Sequence, residues 1–312
     1  MFGSVVIGVD ESGGGRDAVA LASDLVGLTG RVTLVHVLPT NPYDLHEAAE
    51  AYRASEPLGS FDDFVKARAL ALLEKIRARV WPHPGELEIE VRAVVSSSVG
   101  RCLHEAAEDT SADLLVVGSS RRNLLGRVFM GDDTRAALNG APCAVAIAPT
   151  GYGDHPTRIA AIGVGYDGSP ESEYALQVAR ELAARHEATL SAATAISVPV
   201  SSFGPGPLPL RDAIDALVTE ARERIRGLGD CEAQVGYGAP VDVLAHFSAS
   251  LDLLVIGSRG YGPVGRLVHG STSRRLMRGA RCALLVLPRA AAPPAILDTP
   301  AGIAGPVGVS QP

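Results

Sequence analysis

The chain has 312 residues, is 46% hydrophobic and only 4% aromatic, and carries a formal net charge of −7. That length allows two domains of ordinary size, and small aliphatic side chains suit helices packed closely on a parallel sheet. The acidic balance, with no long basic run, argues against nucleic acid or an anionic membrane surface as the primary partner. Cys102, Cys143, Cys231 and Cys282 are scattered without a C-x-x-C pair. They read as reduced cytosolic thiols rather than a disulfide frame or zinc site, so a cytoplasmic location is expected. The opening residues have no basic stretch before an apolar one, so no signal peptide is expected, and no apolar run approaches the ~18 residues of a spanning helix.

In chain order, Ser4–Val9 reads as a strand ending at Asp10, with Gly13 to Gly15 as the turn after it. Ala18, Leu21, Ala22 and Leu25 follow the i, i+3, i+4, i+7 spacing of a helix with one buried stripe. Arg31–Leu38 is a second strand, and Pro39–Ser60 a loop with a helical turn in Asp44–Arg53. Asp62–Arg79 is a helix with Val65, Ala69, Leu72 and Ile76 on one face. Leu87–Val95 alternates apolar and charged residues, as a sheet-edge strand with one wet face would. Then come a helix over Val99–Asp109, a strand over Asp113–Val117, a loop, a helix over Asp132–Leu138 and a strand over Ala144–Ala148.

The chain then repeats itself. Gly126–Pro149 matches Gly265–Pro288, and Gly118 and Gly257, Gly131 and Gly270, and Cys143 and Cys282 all stand 139 positions apart. Asp10 and Asp167 stand 157 apart, so the first copy carries about 18 extra residues, mostly around Thr40–Ser60. The domains are expected at 1–150 and 156–289, joined through Gly151–Pro156, with 290–312 a disordered tail rich in Ala, Pro and Gly.

The second copy gives a strand over Ile159–Tyr166, and a helix capped by Ser169 with Pro170 at its first position and Ala175, Val178, Ala179 and Leu182 buried. Strands follow at Thr189–Ile196 and Glu232–Tyr237, with a helix marked by Ile214, Leu217, Val218, Ala221 and Ile225 between them. A helix over Pro240–Ala249 and strands at Leu251–Ile256 and Ala283–Leu287 complete it. Alternating strand and helix implies a parallel sheet with helices on both faces. In such sheets ligands bind outside the carboxyl ends of the strands where strand order reverses. With the order 3-2-1-4-5, Asp167 lies beside the stretch GSRGYGPVGRLVHGS, Gly257–Ser271. That stretch follows a strand and precedes a helical segment over Thr272–Arg278. Glycines there let backbone N–H groups converge on an anion, and the following helix start adds unpaired N–H groups and a positive dipole end. No Gly-Lys-Ser/Thr closes the run, so it is not a Walker A loop.

These residues resemble the universal stress protein family in its tandem, ATP-binding form, whose signature is Gly-x2-Gly-x9-Gly-Ser/Thr. Gly257, Gly260, Gly270 and Ser271 match it in full, and Asp167-Gly168-Ser169 fits the supporting pattern. The resemblance implies two Rossmann-like domains of the adenine nucleotide alpha hydrolase type, each with five parallel strands in the order 3-2-1-4-5. It implies that the two fifth strands pair within the chain; a homodimer is also open. It implies ATP, with or without Mg²⁺, as ligand. By the same resemblance Asp167, with Gly165 near it, holds the ribose or adenine edge, and the backbone of Ala193, at the end of the second strand, reads adenine. Ile256, Gly257 and Gly260 line the phosphates. Gly270, Ser271 and Thr272 are the helix-start donors, joined by Ser273, and Arg259 and Arg266 supply charge to the β- and γ-phosphates or are solvated loop residues. The first copy departs from the signature, with Arg121 for the second glycine and Asp132 for the Ser/Thr. A side chain then blocks backbone approach and a carboxylate stands at the helix start, so the first copy is expected to bind ATP weakly or not at all.

Gly163, Gly165 and Gly168 formally fit G-x-G-x-x-G, but two of them fall within a strand rather than in the turn a dinucleotide requires. His36 reads as a packed strand residue, and His269 and Tyr261 as loop residues beside the glycine run. There is no nucleophile elbow, no H-x-x-x-H and no placed lysine or water-orienting glutamine of the kind that fast phosphoryl transfer needs. The expected role is a nucleotide-dependent stress regulator with at most slow hydrolysis. An enzyme acting on an adenylated substrate, and a nucleotide-free interaction module, are the alternatives.

Overall fold

A computed structural model describes residues 2–10, 13–38, 50, 52, 60–81, 85–119, 132–154, 159–197, 210–258, 276 and 279–289. The first half runs β1 (Phe2–Gly8), α1 (Gly13–Leu25), β2 (Val26–Leu38), α2 (Phe61–Val80), β3 (Glu88–Val95), α3 (Val99–Asp109), β4 (Leu114–Gly118), α4 (Asp132–Leu138) and β5 (Ala144–Ala148). After a short 3-10 turn at Tyr152–Asp154 the second half runs β6 (Ala161–Gly165), α5 (Pro170–His186), β7 (Thr189–Ile196), α6 (Leu210–Arg226), β8 (Glu232–Tyr237), α7 (Pro240–Phe247), β9 (Leu253–Gly257) and β10 (Ala283–Leu287).

All ten strands form one sheet in the order β3-β2-β1-β4-β5-β10-β9-β6-β7-β8. Each half therefore has the order 3-2-1-4-5, parallel throughout, and the halves meet where β5 and β10 pair antiparallel, Leu284 opposite Ile147 and Val286 opposite Val145. The reason lies in the strands themselves. AVAIA and ALLVL are buried at every position, and an unpaired edge of that kind would expose both apolar side chains and unmatched amides. The charged strand β3 takes an outer edge. One face of the sheet carries α1, α2, α5 and α6 over a core including Leu21, Leu73, Leu176 and Ile225. The other carries α3, α4 and α7 over Leu103, Leu138 and Leu244.

One carboxylate in each half sets how strands one and four run together. Asp113 accepts from the N–H groups of Gly3 (2.8 Å) and Ser4 (3.2 Å), and Asp252 accepts from those of Ala160 (2.8 Å) and Ala161 (2.9 Å). Each ties the start of the fourth strand to the start of the first, so the two strands leave the far side of the sheet as neighbours. The halves are also latched beyond the sheet. Arg185 of α5 donates to the Val26 carbonyl (2.9 Å), His186 bonds the Asp24 carbonyl (2.9 Å), and the Tyr152 hydroxyl donates to the Asp24 carboxylate (2.7 Å).

Two expectations change. Gly13 to Gly15 open α1 rather than form a turn before it, and Gly14 and Gly15 are buried. A Cβ on Gly15 would lie 2.7 Å from the backbone of Asp10, so these glycines serve close packing at the helix start. β2 begins at Val26 instead of Arg31, past an irregularity opposite Phe2 and Ser4. The loop from Pro39, the tail 290–312 and, apart from Leu276, the helix expected over Thr272–Arg278 lie outside the described residues. Among the described residues no helix is long and apolar enough to cross a membrane.

Candidate functional site

In the second half β6 and β9 are adjacent, Val164 opposite Val255, and their carboxyl ends open at the point where strand order reverses. β6 ends at Gly165, and Asp167 follows two residues on. The Asp167 Oδ1 accepts from the Ser169 N–H (3.0 Å) and the Ser169 hydroxyl (2.5 Å). Gly168 makes the turn between them at φ +78, a conformation that costs glycine little. Ser169 also caps α5, its oxygen accepting from the Ser172 N–H (3.2 Å), with Pro170 in the first helical turn. Burial works to raise the Asp167 pKa, but the Ser169 hydroxyl and amide and the Ser172 hydroxyl together outweigh it and hold the carboxyl below its ordinary range. A carboxyl that favours its ionised form therefore stands just past the carboxyl end of β6.

On the other side β9 ends at Gly257, and the next residue, Ser258, is buried with its N–H bound to the Leu287 carbonyl (2.8 Å). Gly257 is not at positive φ. A Cβ there would lie 2.6 Å from the Glu171 carbonyl oxygen and 2.9 Å from the Glu171 Cβ. The glycine is required because the first turn of α5 sits directly on the strand end. Gly165 is similar, since an added Cβ would lie 3.1 Å from Ile256 and 3.3 Å from Leu244. Ile256 itself is buried in the same core cluster as Leu244.

Ala193 needs a correction. It does not end its strand: β7 continues to Ile196, and the Ala193 carbonyl already accepts the Tyr166 N–H (2.9 Å). The strand exit is at Ser197, whose hydroxyl donates to the Gly238 carbonyl (2.7 Å). Of the remaining expected site residues, Arg259, Gly260, Arg266, Gly270, Ser271, Thr272 and Ser273 lie outside the described residues, as do Tyr261 and His269. Two charged residues that sequence reasoning passed over do reach this corner: Glu171, and Arg289 with its Nε 3.7 Å from Glu171 Oε1.

The first half has the same corner in a tighter form. A Cβ on Gly118 would lie only 2.0 Å from the Gly14 carbonyl oxygen. The buried Thr134 hydroxyl, at the repeat position of Ser273, donates to the Gly118 carbonyl (3.1 Å). Asp10 uses its Oδ1 to accept the Gly15 N–H (3.1 Å). His36 is buried with Nδ1 2.8 Å from the Val9 carbonyl oxygen, the packed residue its strand position suggests. The G-x-G-x-x-G match also finds its physical meaning: Gly163 and Gly165 lie inside β6, and the space beside Gly163 is filled by Leu251 and Phe247. Among the described residues no cluster of three His, Cys, Asp or Glu side chains stands ready for a metal. Burial pushes the Cys143 thiol up to about 12, and raises that of Cys282, its repeat equivalent.

The universal stress protein family model matches residues 1–149 and again 159–288. The chain belongs to the universal stress protein family. A universal stress protein of Mycobacterium tuberculosis is 28% identical over 298 residues, covering 90% of this chain and 96% of the relative. One from Mycolicibacterium smegmatis is 26% identical over 294 residues, covering 91% and 96%. Among solved structures, a universal stress protein of Archaeoglobus fulgidus aligns with a TM-score of 0.60 at 18% identity, over 92% of this chain and 98% of its own. A functionally unknown protein of Pseudomonas aeruginosa aligns with a TM-score of 0.62 at 16% identity, over 92% and 93%. At these identities the structural likeness speaks to fold. This universal stress protein is thus a tandem member of its family, and that membership supports a role in the stress response.

Proposed function

We propose that this universal stress protein is an ATP-binding regulator of the stress response with one nucleotide site, in its second half, and without fast turnover. The observation that carries the reading is the β6–β9 corner. Asp167, its carboxyl held below the ordinary range, follows the end of β6, and the neighbouring strand β9 ends where the intact Gly-x2-Gly-x9-Gly-Ser run of the sequence begins. A carboxylate suits the hydroxyl donors of a ribose, and glycine amides followed by a helix start suit a phosphate chain. Asp167 and the run from Gly257 through Ser273 would hold the nucleotide, and a Mg²⁺ ion would arrive with the triphosphate. The tighter corner at Gly118, where Thr134 already uses its hydroxyl on the backbone, favours a first half that does not share the load. In this reading the domains are 1–150 and 156–289, the protein works in the cytoplasm, and any homodimer forms outside the β5–β10 seam.

The test is a melting curve with and without ATP. Ligand at about a hundredfold its Kd stabilises the native state by about 2.7 kcal/mol, a shift of several degrees. Ser271→Glu, which puts a carboxylate where phosphate should sit, abolishes the shift if the reading is right. No shift in the wild type points to a nucleotide-free interaction module. Conversion of ATP to AMP and pyrophosphate above a slow background points to an enzyme.

A further inference from the structure

At the amino ends of β7 and β8, the opposite end of the sheet from Asp167, the second half has an open cavity of about 730 Å³. Small-ligand sites span ~300–1,000 Å³. Ala183 and Ala184 in the last turn of α5, with Ala188 and Leu190 around the start of β7, supply its apolar wall. The repeat shows what stands at this corner in the other copy. In the first half Trp81 is the residue after α2, its N–H on the Arg77 carbonyl (2.8 Å), and its side chain is buried in the same core cluster as Leu25 and Val26. The residue after α6 is Gly227, its N–H on the Glu223 carbonyl at the same 2.8 Å, and it has no side chain to turn inward. Ala183 stands at the repeat position of Val26, so the facing wall is shorter as well.

The other wall is polar and fixed. Arg180 stands at the repeat position of Ser23, whose hydroxyl turns back to the Ala20 carbonyl of its own helix. The Arg180 Nε donates to Asp230 Oδ2 (2.8 Å), and its Nη2 donates to Asp230 Oδ1 (2.7 Å) and to the Leu228 carbonyl (2.9 Å). That paired fork leaves the guanidinium charge neutralised. Glu232, exposed at the first position of β8, also lines the cavity and has no ion-pair partner among the described residues. The last turn of α5 adds the partial negative charge of a helix carboxyl end. Arg185 and His186, the basic residues of that turn, reach instead to the Val26 and Asp24 carbonyls of the first half. Cys231 stays a neutral thiol, its pKa raised by burial first and by the Asp230 carboxylate next.

An apolar space in the copy that lacks the tryptophan, rimmed by a carboxylate without a partner, suits an aromatic ligand that carries a positive charge. We propose that this cavity is a binding site for a small arylalkylamine, its ring standing where an indole stands in the first half and its ammonium meeting Glu232. The site is separate from the nucleotide reading, at the other end of the same strands.

NMR titration of the full chain with tryptamine, and with indole-3-propionate as the same ring carrying the opposite charge, tests it. The wild type should show saturable shifts at the Ala184 and Cys231 amides with tryptamine, and bind it about tenfold more tightly than the propionate, the worth of one charge-assisted contact. Glu232→Gln should lose most of that preference. Gly227→Trp puts an indole in this half too and should abolish binding. The backbone admits it, because Gly227 is not at positive φ and an added Cβ would meet nothing closer than the Arg224 carbonyl oxygen at 3.3 Å. Ala184→Phe narrows the cavity from α5 and should give the same loss, which decides the matter should Gly227→Trp fold poorly. No saturable shift at these amides in the wild type, equal affinity for the two probes, or undiminished binding in Ala184→Phe overturns the proposal and leaves the nucleotide site standing. An unchanged preference in Glu232→Gln overturns it as well.

Discussion

The Gly118 corner and the Gly257 corner are two outcomes of one design. In both, the first helix of the half lands on the last residue of its fourth strand, and only glycine fits beneath. In the first half the landing residue is Gly14, which has no side chain, and the backbones approach until an added Cβ would be 2.0 Å from a carbonyl oxygen. In the second half it is Glu171, and the matching distance is 2.6 Å. The first corner then closes from the other side as well, through Thr134 on the Gly118 carbonyl. The difference teaches that two copies of one corner can differ in how closely helix and strand pack while keeping the same strand order.

The largest effect should come from testing that contact directly. Gly118→Ala forces a Cβ into backbone that cannot yield, and should cost about 3 kcal/mol or more, with Gly257→Ala nearer 2 kcal/mol, read from urea unfolding. Equal or negligible costs would break the comparison. Gly257 variants are for the same reason poor probes of ligand binding, because they disturb the helix first; Ser271→Glu is the cleaner one. Next, Thr134→Val leaves the Gly118 carbonyl without its hydroxyl donor and should cost about 1–2 kcal/mol. Ser169→Ala removes a helix cap and one of the hydrogen bonds that stabilise ionised Asp167. It should cost about 1 kcal/mol and move the Asp167 pKa upward, seen by carboxyl NMR titration.

The smallest effect concerns pH, and its sign differs between the two regions. Asp167 has a lowered folded-state pKa, so it contributes stability above the ordinary carboxylate range that disappears as pH falls below that range through the folded value. Asp24, in the latch between the halves, is raised by burial, opposed by Tyr152, His186 and Arg185. Its contribution runs the other way, with stability declining as pH climbs from the ordinary range through the folded value. Asp24→Asn should flatten that slope while leaving stability at neutral pH unchanged or slightly higher. A steeper slope in Asp24→Asn would show that Asp24 is stabilising as an anion.

Much of the fold was legible because its signals are local. Ala144–Ala148 and Ala283–Leu287 are too apolar to be open edges; that they pair with each other was implied by the family resemblance, and the structure adds that they run antiparallel. The Ser169 cap, with Pro170 behind it, was readable from residue types alone. What escaped was tertiary. Three glycines in a row at Gly13 read as a turn by propensity, yet contact with Asp10 and Gly118 makes them a helix start. The bounds of β7 were readable, but Ala193 lies inside the strand, paired with Gly165 on one side and Gln234 on the other, and not at its end. The pairing of Glu171 with Arg289 joins segments distant in sequence, and no local pattern announces it.

Calorimetric titration of the full-length chain with ATP tests the central claim most directly. The account predicts a single site per chain that disappears in Ser271→Glu and survives Asp132→Ala in the first half. Two equivalent sites per chain, or one site that outlasts the Ser271 substitution, would contradict it.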